Sequence, residues 1–139
     1  TLNLGKIEAK DGKLVLCCDS RIPVSFTVDS IEEKVKSKMA GTGYEYERVA
    51  TERPLYVPKD SELVQTLMDV YRKVTGDTES QPQSSGGATY SRTIDNCVAF
   101  GALLPDQEDT MHQANEYLEL DKLKVWLEIY LEAIYRLAK

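Results

Sequence analysis

The sequence contains only one histidine, His112, among 139 residues. A catalytic zinc ion is held by about three protein ligands, so one histidine excludes a site built from several histidines within this chain. A lone histidine is, moreover, more often structural or merely exposed than a metal ligand. The functional interpretation of His112 therefore depends on the residues around it.

Cysteine is also scarce, with three residues in the chain. Cys17 and Cys18 are adjacent and Cys97 stands alone, so neither their number nor their spacing suits a disulfide framework. No pair has the C-x-x-C spacing typical of a zinc site, although zinc binding by the thiols is an alternative. The cysteines are best interpreted as reduced thiols of a cytoplasmic protein.

The sequence has neither an excess of positive charge nor a long apolar run. A formal net charge of −6 argues against a nucleic-acid partner, because phosphate binding needs clustered Lys and Arg. No apolar stretch approaches the roughly 20 residues of a membrane helix, so we expect no membrane partner. Hydrophobic and charged contents of 42% and 29% are those of a soluble globular protein.

The first fifty residues predict an α+β unit in the order strand, strand, helix, strand. Asp11-Gly12 separates two strand-like runs, residues 1–9 and 13–18, and is a strong hairpin signal. Ser30 followed by Glu33 predicts a capping box at the start of a helix. Residues 44–50 alternate well enough for a partly exposed strand.

The second part of the chain predicts two helices around a buried strand. Ser61 or Asp60 caps the first helix, which ends at Gly76. Residues 98–104 are uncharged and precede Pro105, a pattern typical of a strand buried on both faces. Asp121 is predicted to cap the last helix, whose apolar face contains the following residues: Leu123, Trp126, Leu127, Tyr130, Ile134 and Leu137.

The residues before and after the predicted buried strand form a candidate site. Ligands in open α/β sheets gather beyond the carboxyl ends of strands, where His112 is placed. Arg92 follows Gly86 and Gly87, and glycine lets the backbone approach a ligand closely. An arginine such as Arg92 or Arg21 can hold a carboxylate in a bidentate manner. An ordinary turn at the glycine pair and a surface role for Arg21 remain open alternatives.

Three ordered blocks carry a family resemblance: Gly-Gly-Ala-Thr-Tyr-Ser-Arg from Gly86, Asn-Cys-Val-Ala-Phe-Gly-Ala-Leu-Leu-Pro from Asn96, and Met-His-Gln-Ala-Asn-Glu-Tyr from Met111. Together they resemble the C-terminal part of the dinuclear zinc metallopeptidases, the group of aminoacylases, carboxypeptidase G and PepV-like dipeptidases. The residues of the three blocks are most similar to those of the PepV-like dipeptidases. Family members are about three times longer, so the chain is interpreted as a C-terminal fragment.

The resemblance implies a fold and a set of site residues. Residues 1–52 would be part of a ferredoxin-like lid, and residues 53–139 the C-terminal part of the catalytic α/β sheet. His112 would bind one of two zinc ions, with Glu116 as an acceptor that supports the imidazole or as a solvent-exposed residue. The substrate-binding residues would be Gly86, Gly87, Thr89 and Arg92 from one loop and Arg21 from the lid.

The resemblance also shows what the chain lacks. The family's His-x-Asp block is absent, because Ala114 stands two residues after the single histidine. Glu32-Glu33 falls in the predicted capping box and is interpreted as structural. We therefore expect a fragment of a zinc-dependent dipeptidase acting on dipeptides or short peptides, with no catalytic residue of its own and no activity alone. The alternatives are a deacylase or carboxypeptidase of the same family, or a non-catalytic α+β binding or oligomerisation module.

Incomplete sheets and helix faces also predict contact between copies of the fragment. An unpaired strand edge invites pairing with another chain, and a wide apolar helix face needs cover. We expect the fragment to self-associate through residues 98–104 or through the apolar face of the last helix.

Overall fold

The computed structural model describes residues 1–101 and 103–139. It confirms a mixed α+β fold with one antiparallel pair of strands and three helices in the described residues. The elements are β1 (Leu2–Lys10), β2 (Lys13–Ser20), α1 (Val28–Met39), α2 (Glu62–Thr75), a 3₁₀ turn (Tyr90–Thr93) and α3 (Leu120–Leu137). The chain divides into two compact units, Thr1–Pro54 and Leu55–Lys139.

The predicted hairpin is confirmed in the first unit. Asp11 and Gly12 both have positive φ, 52° and 73°, which is the backbone that a two-residue turn between twisted strands requires. The pairing runs from Lys10 opposite Lys13 to Leu2 opposite Ser20, with an irregularity between Leu4 and Lys6. Every residue of β1 and β2 is exposed, so the hairpin buries neither face within the described residues.

Helix α1 forms where the apolar pattern indicates, but the predicted capping box at Ser30 and Glu33 is wrong. The N-cap is Thr27, whose hydroxyl accepts a hydrogen bond from the backbone N–H of Ser30 at 3.2 Å. Ser30 in turn donates its own hydroxyl to the carbonyl oxygen of Thr27 at 2.8 Å. Because the Thr27 side chain already accepts from one free N–H group of the first turn, the helix starts at Val28.

The strand predicted at residues 44–50 is absent, because these residues contact α1 and no strand lies beside them. Arg48 donates from its guanidinium group to Asp29 at 2.7 Å and also to Glu32, and the Lys36 ammonium lies 5.3 Å from the Tyr46 ring centroid. A strand needs a neighbour for its backbone groups, and β1 and β2 pair only with each other. The first unit therefore shows the order β-β-α in place of β-β-α-β.

In the second unit, α2 confirms both predicted ends. The Ser61 hydroxyl accepts from the backbone N–H of Val64 at 3.3 Å. Gly76 closes the helix with φ of 74°, a left-handed conformation that glycine adopts without steric cost. The core of the unit then forms between α2, α3 and the segment before Pro105, and its buried members are Leu67, Val70, Leu104, Ile129 and Ala133.

Helix α3 differs from the prediction at its start and in the face that it buries. It begins at Leu120 with Glu119 as N-cap and no side-chain capping bond, so Asp121 is not the cap. The buried residues Ile129 and Ala133 were absent from the predicted face, whereas Leu127 and Ile134 are exposed. The helix is apolar on two sides, and periodicity alone does not indicate which side meets α2.

Residues 98–104 do not form the predicted strand, but part of this segment is buried as predicted. Its described residues form no strand, and Ala102 lies outside the described residues. Leu104 is buried, while Phe100 packs edge-on against Tyr130 with ring centroids 6.0 Å apart. The Tyr130 hydroxyl also donates to the carbonyl oxygen of Phe100 at 3.0 Å. In the absence of a neighbouring strand, this apolar segment packs against α3 instead.

Candidate functional site

His112 lies in an exposed loop that is held by its own hydrogen bonds. Asp109 accepts from the backbone N–H of Met111 at 3.1 Å, and its carbonyl oxygen accepts from the Gln113 side chain at 2.9 Å. The carboxylate of Glu116 accepts from the backbone N–H of His112 at 3.2 Å. These contacts fix the backbone on both sides of the histidine and leave its side chain at the surface.

The backbone of this loop is unusual at two positions. His112 has φ of 64° and Asn115 has φ of 62°, both in the left-handed region that residues other than glycine rarely occupy. Such conformations have a cost and cluster at functional sites, where the surrounding structure holds them in place. Here the hydrogen bond from the His112 backbone to Glu116 contributes to that support. The predicted role of Glu116 as an acceptor for the imidazole stays a prediction, since the observed contact is with the backbone.

A second candidate segment runs from Gly86 to Arg92 and ends in the 3₁₀ turn. Thr89 caps this turn by accepting from the backbone N–H of Ser91 at 3.3 Å, and the N–H of Arg92 donates to the Thr89 carbonyl oxygen at 3.3 Å. The N–H of Gly87 donates to the Ser85 hydroxyl at 3.0 Å. Local hydrogen bonds therefore fix the backbone of Arg92 relative to Thr89.

The glycine pair is not required by the packing of this chain. A Cβ atom built on Gly86 would meet no heavy atom within 4 Å, and one on Gly87 would meet only the Ser85 hydroxyl oxygen at 3.2 Å. Neither residue has the positive φ that favours glycine. A side chain at Gly86 would therefore find open space, whereas one at Gly87 would require the Ser85 hydroxyl to shift.

Asp77 organises the start of the loop that leads to Gly86, a role that the sequence analysis missed. Its carboxylate accepts from the backbone N–H groups of Glu79 and Ser80, at 2.9 and 3.0 Å, and from the Tyr71 hydroxyl at 2.9 Å. Hydrogen bonds from Ser80 and Tyr71 lower the pKa of Asp77 to about 2. An aspartate directly after a helix-ending glycine, with serine three residues later, is the signal that points to this turn.

Arg21 follows β2 and belongs to the first unit, whereas the other predicted site residues belong to the second. Its backbone N–H donates to the carbonyl oxygen of Thr1 at 3.0 Å, which extends the pairing of the hairpin by one step. The residue is exposed. Its predicted contact with substrate remains a prediction.

The donor atoms of the described residues do not complete a zinc site. No group of three or more His, Cys, Asp and Glu side chains is close enough together there to hold a metal ion. His112 therefore contributes at most one ligand from this part of the chain. The cysteines of the described residues are free thiols, with Cys17 and Cys18 exposed on β2.

The match to a known family covers nearly the whole chain. Residues 2–136 match the sequence model of Peptidase family M20/M25/M40. The chain belongs to this family. The resemblance to metallopeptidases that the three sequence blocks carry is thereby confirmed at the level of the family.

Several staphylococcal proteins are similar to this member of the peptidase family M20/M25/M40. A protein named "Putative dipeptidase" from Staphylococcus epidermidis is 39% identical over 140 residues, covering 99% of this chain and 29% of that protein. Relatives whose names include the same words, from S. saprophyticus and S. haemolyticus, are 39% and 40% identical over 117 residues, 84% of this chain and 25% of each relative. The chain thus spans about a quarter of the length of the curated relatives it matches. No helix in the described residues is long and apolar enough to cross a membrane.

Proposed function

We propose that the whole protein to which this chain corresponds is a cytoplasmic, zinc-dependent dipeptidase that hydrolyses dipeptides or short peptides. The family match over residues 2–136, together with the dipeptidase names of the relatives, carries this proposal. The free thiols of Cys17, Cys18 and Cys97 agree with a reducing compartment. Two zinc ions are the expected cofactor of the whole enzyme.

His112 is our candidate for the zinc ligand that this chain supplies. Neutral imidazole is a common zinc ligand, and an exposed ring on a loop of fixed backbone is available to a metal held mainly by other residues. The left-handed backbone of His112 supports a functional reason for the loop. The described donors do not form a complete site, and we assign the remaining ligands and the general base to residues outside this sequence.

The segment from Gly86 to Arg92 is our candidate for the substrate-binding loop. A Cβ atom at Gly86 would meet no heavy atom within 4 Å, so the backbone there has open space on that side in which a ligand could lie. Thr89 is the N-cap of the short turn that contains Arg92, so the backbone of these two residues is held together in the loop that follows the glycines. Arg92 and Arg21 are each candidates for a contact with the substrate carboxylate or with the transition state, through the planar fork of arginine.

The test is a comparison of substrates for a full-length protein that contains this chain. We expect zinc-dependent hydrolysis of unmodified dipeptides, with much lower rates for N-acyl amino acids. Faster hydrolysis of the N-acyl amino acids would favour a deacylase of the same family. Absence of hydrolysis of either class by a folded, zinc-loaded protein would favour a non-catalytic module.

A further inference from the structure

The histidine loop, which we define as residues 105–118, joins the buried core residue Leu104 to Glu119, the residue before α3. All of its residues from 111 to 118 are exposed. The hydrogen bonds that shape the loop around His112 run between residues 109 and 116 of the loop itself. The position of His112 relative to the core therefore depends on how the two ends of the loop are held.

Gln107 contacts both ends of the histidine loop. Its backbone N–H donates to the carbonyl oxygen of Leu104 at 3.0 Å, and its side-chain oxygen accepts from the Leu104 N–H at 3.1 Å. Its side-chain amide group donates to the carboxylate of Glu119 at 3.1 Å. Gln107 and Glu119 are 12 residues apart in the sequence, so this last hydrogen bond closes the loop across its base.

The burial of these groups makes the closure stronger than a surface contact. Leu104 is buried, and a buried N–H without a partner is costly, so the oxygen of Gln107 satisfies a group that needs an acceptor. Gln107 and Glu119 are both half-buried. Lys122 also pairs with Asp106 at the base of the loop, but the Asp106 side chain is 65% exposed, and ion pairs at the surface contribute little.

We propose that Gln107 is a positioning residue for His112, because it closes the base of the histidine loop and so fixes where the imidazole is presented to a zinc ion. This inference rests on the proposed function, since it takes His112 as a zinc ligand. A ligand on an open loop loses conformational freedom when the metal binds. A loop that is already closed loses less of it, and the zinc affinity is higher by that difference.

The test exchanges the donor and the acceptor of the Gln107–Glu119 pair in a full-length protein that contains this chain. Gln107→Glu keeps an acceptor for the Leu104 N–H but sets two carboxylates against each other, so the base of the loop should open. Glu119→Gln should have little effect, because its amide oxygen still accepts from Gln107. The double variant Gln107→Glu/Glu119→Gln regains the hydrogen bond in the reverse direction and should behave like the unaltered protein.

Two measurements report on the position of the loop. In the metal-free protein, hydrogen exchange over residues 109–117 should be faster in Gln107→Glu and should return to its original rate in the double variant. Competition with a chromophoric chelator should show that Gln107→Glu raises the zinc dissociation constant about tenfold, the lower end of the range for groups that orient a metal ligand. The double variant should restore this constant as well.

Tyr130→Phe is the matched control for a general loss of stability. It removes the hydrogen bond to the carbonyl oxygen of Phe100, which lies in the same unit but outside the histidine loop. The Tm should fall, whereas the hydrogen exchange of residues 109–117 and the zinc dissociation constant should stay unchanged. Equal changes in Tyr130→Phe and Gln107→Glu would overturn the proposal, because any loss of stability would then be sufficient.

Two further results would also overturn the positioning role: unchanged exchange and zinc affinity in Gln107→Glu, or a double variant as weak as Gln107→Glu. His112→Asn, measured beside these variants, separates this inference from the proposed function. If His112→Asn weakens zinc binding and Gln107→Glu does not, the positioning role alone is wrong. If His112→Asn leaves zinc binding intact, the ligand assignment is wrong and the positioning role is wrong with it.

Discussion

His112 and Asn115 are two residues of one loop that share a left-handed backbone but differ in chemistry. This difference allows the proposed metal ligand to be separated from the structure of its loop. In the full-length protein, we expect His112→Asn to lower zinc content and dipeptidase activity together. Asparagine tolerates positive φ, so the loop should keep its shape while the imidazole is lost. Zinc content is measured by mass spectrometry beside the hydrolysis rate.

The control for this prediction is Asn115→Ala, which puts a strained alanine into the same loop and keeps the imidazole. It should retain zinc, with at most a modest loss of stability. If His112→Asn retained both zinc and turnover, His112 would not be a ligand. If Asn115→Ala lost zinc as completely as His112→Asn, the effect would come from the loop.

Arg92 and Arg21 are predicted to bind the carboxylate of the substrate. Substitution by lysine tests whether the positive charge or the bidentate geometry of the guanidinium group matters. Arg92→Lys keeps the positive charge and loses the fork, so we expect kcat/KM for dipeptides to fall about 10- to 150-fold, as for the loss of a charged hydrogen bond of about 1.5–3 kcal/mol. The loss should be much smaller for a dipeptide amide. Arg21→Lys provides the parallel measurement for the arginine of the first unit. An equal loss on both substrates would contradict carboxylate binding.

Asp77 gives a prediction about acid stability. The folded pKa of about 2 lies below the ordinary value of 3.8, so the unfolded chain takes up the proton first as the pH falls. The stabilisation is complete above about pH 4 and is lost as the pH falls toward 2. In Asp77→Asn, the Tm should be lower at neutral pH and should fall less steeply between pH 4 and 2. Parallel Tm curves for the two proteins across that range would show that Asp77 has no such role.

Helix α3 is apolar on two sides, and the structure shows which side is buried in the core. This assignment can be tested by substitution. Ile129 is 1% exposed and Leu131 is 69% exposed, although they stand two residues apart. We expect Ile129→Ala to lower the free energy of unfolding by about 2–5 kcal/mol, since it opens a cavity in the core. Leu131→Ala should change it by less than about 0.5 kcal/mol. Urea denaturation of the two variants provides both values.

The reverse order of these two effects would mean that α3 packs with its other side inward. Val70 offers an independent check, because it is fully buried on α2 in the same cluster. Val70→Ala should therefore lower the free energy of unfolding whichever side of α3 packs inward.

Elements with local signals could be predicted from the sequence. The Asp11-Gly12 turn and both ends of α2 depend on residues within a few positions of one another, and all three are confirmed. Residues 44–50 and 98–104 depend on partners distant in the sequence. Their apolar or alternating pattern suits a strand, yet a strand also needs a neighbour, and in the structure these segments contact α1 and α3. Pattern alone does not reveal which partner is present.

For the candidate site, the sequence could indicate the family but not the geometry of the loops. The order of the three sequence blocks indicates the family, which the match over residues 2–136 confirms. The left-handed backbone of His112 and the hydrogen bonds of Asp77 were not predicted, because both arise from loop geometry. The roles of His112, Arg92 and Arg21 remain predictions until the variants are measured.

At the scale of the whole molecule, the chain has two compact units and spans about a quarter of its curated relatives. Each unit has elements whose apolar residues are exposed, such as Leu2 of β1 and Leu131 of α3. Exposed apolar residues that lie together are typical of surfaces that contact other protein.

The last prediction is that the 139-residue chain alone hydrolyses no dipeptide, even with zinc, cobalt or manganese added. A catalytic zinc ion needs about three protein ligands, and the described residues bring no three metal-binding side chains together. His112 alone would hold a metal ion too weakly for turnover. The assay is dipeptide hydrolysis by the purified chain, with a full-length protein containing the same residues as positive control. Metal-dependent hydrolysis that co-purifies with the chain and disappears in its His112→Asn variant would show that these residues form a complete site, and the assignment of the general base and the other ligands to residues outside this sequence would be wrong.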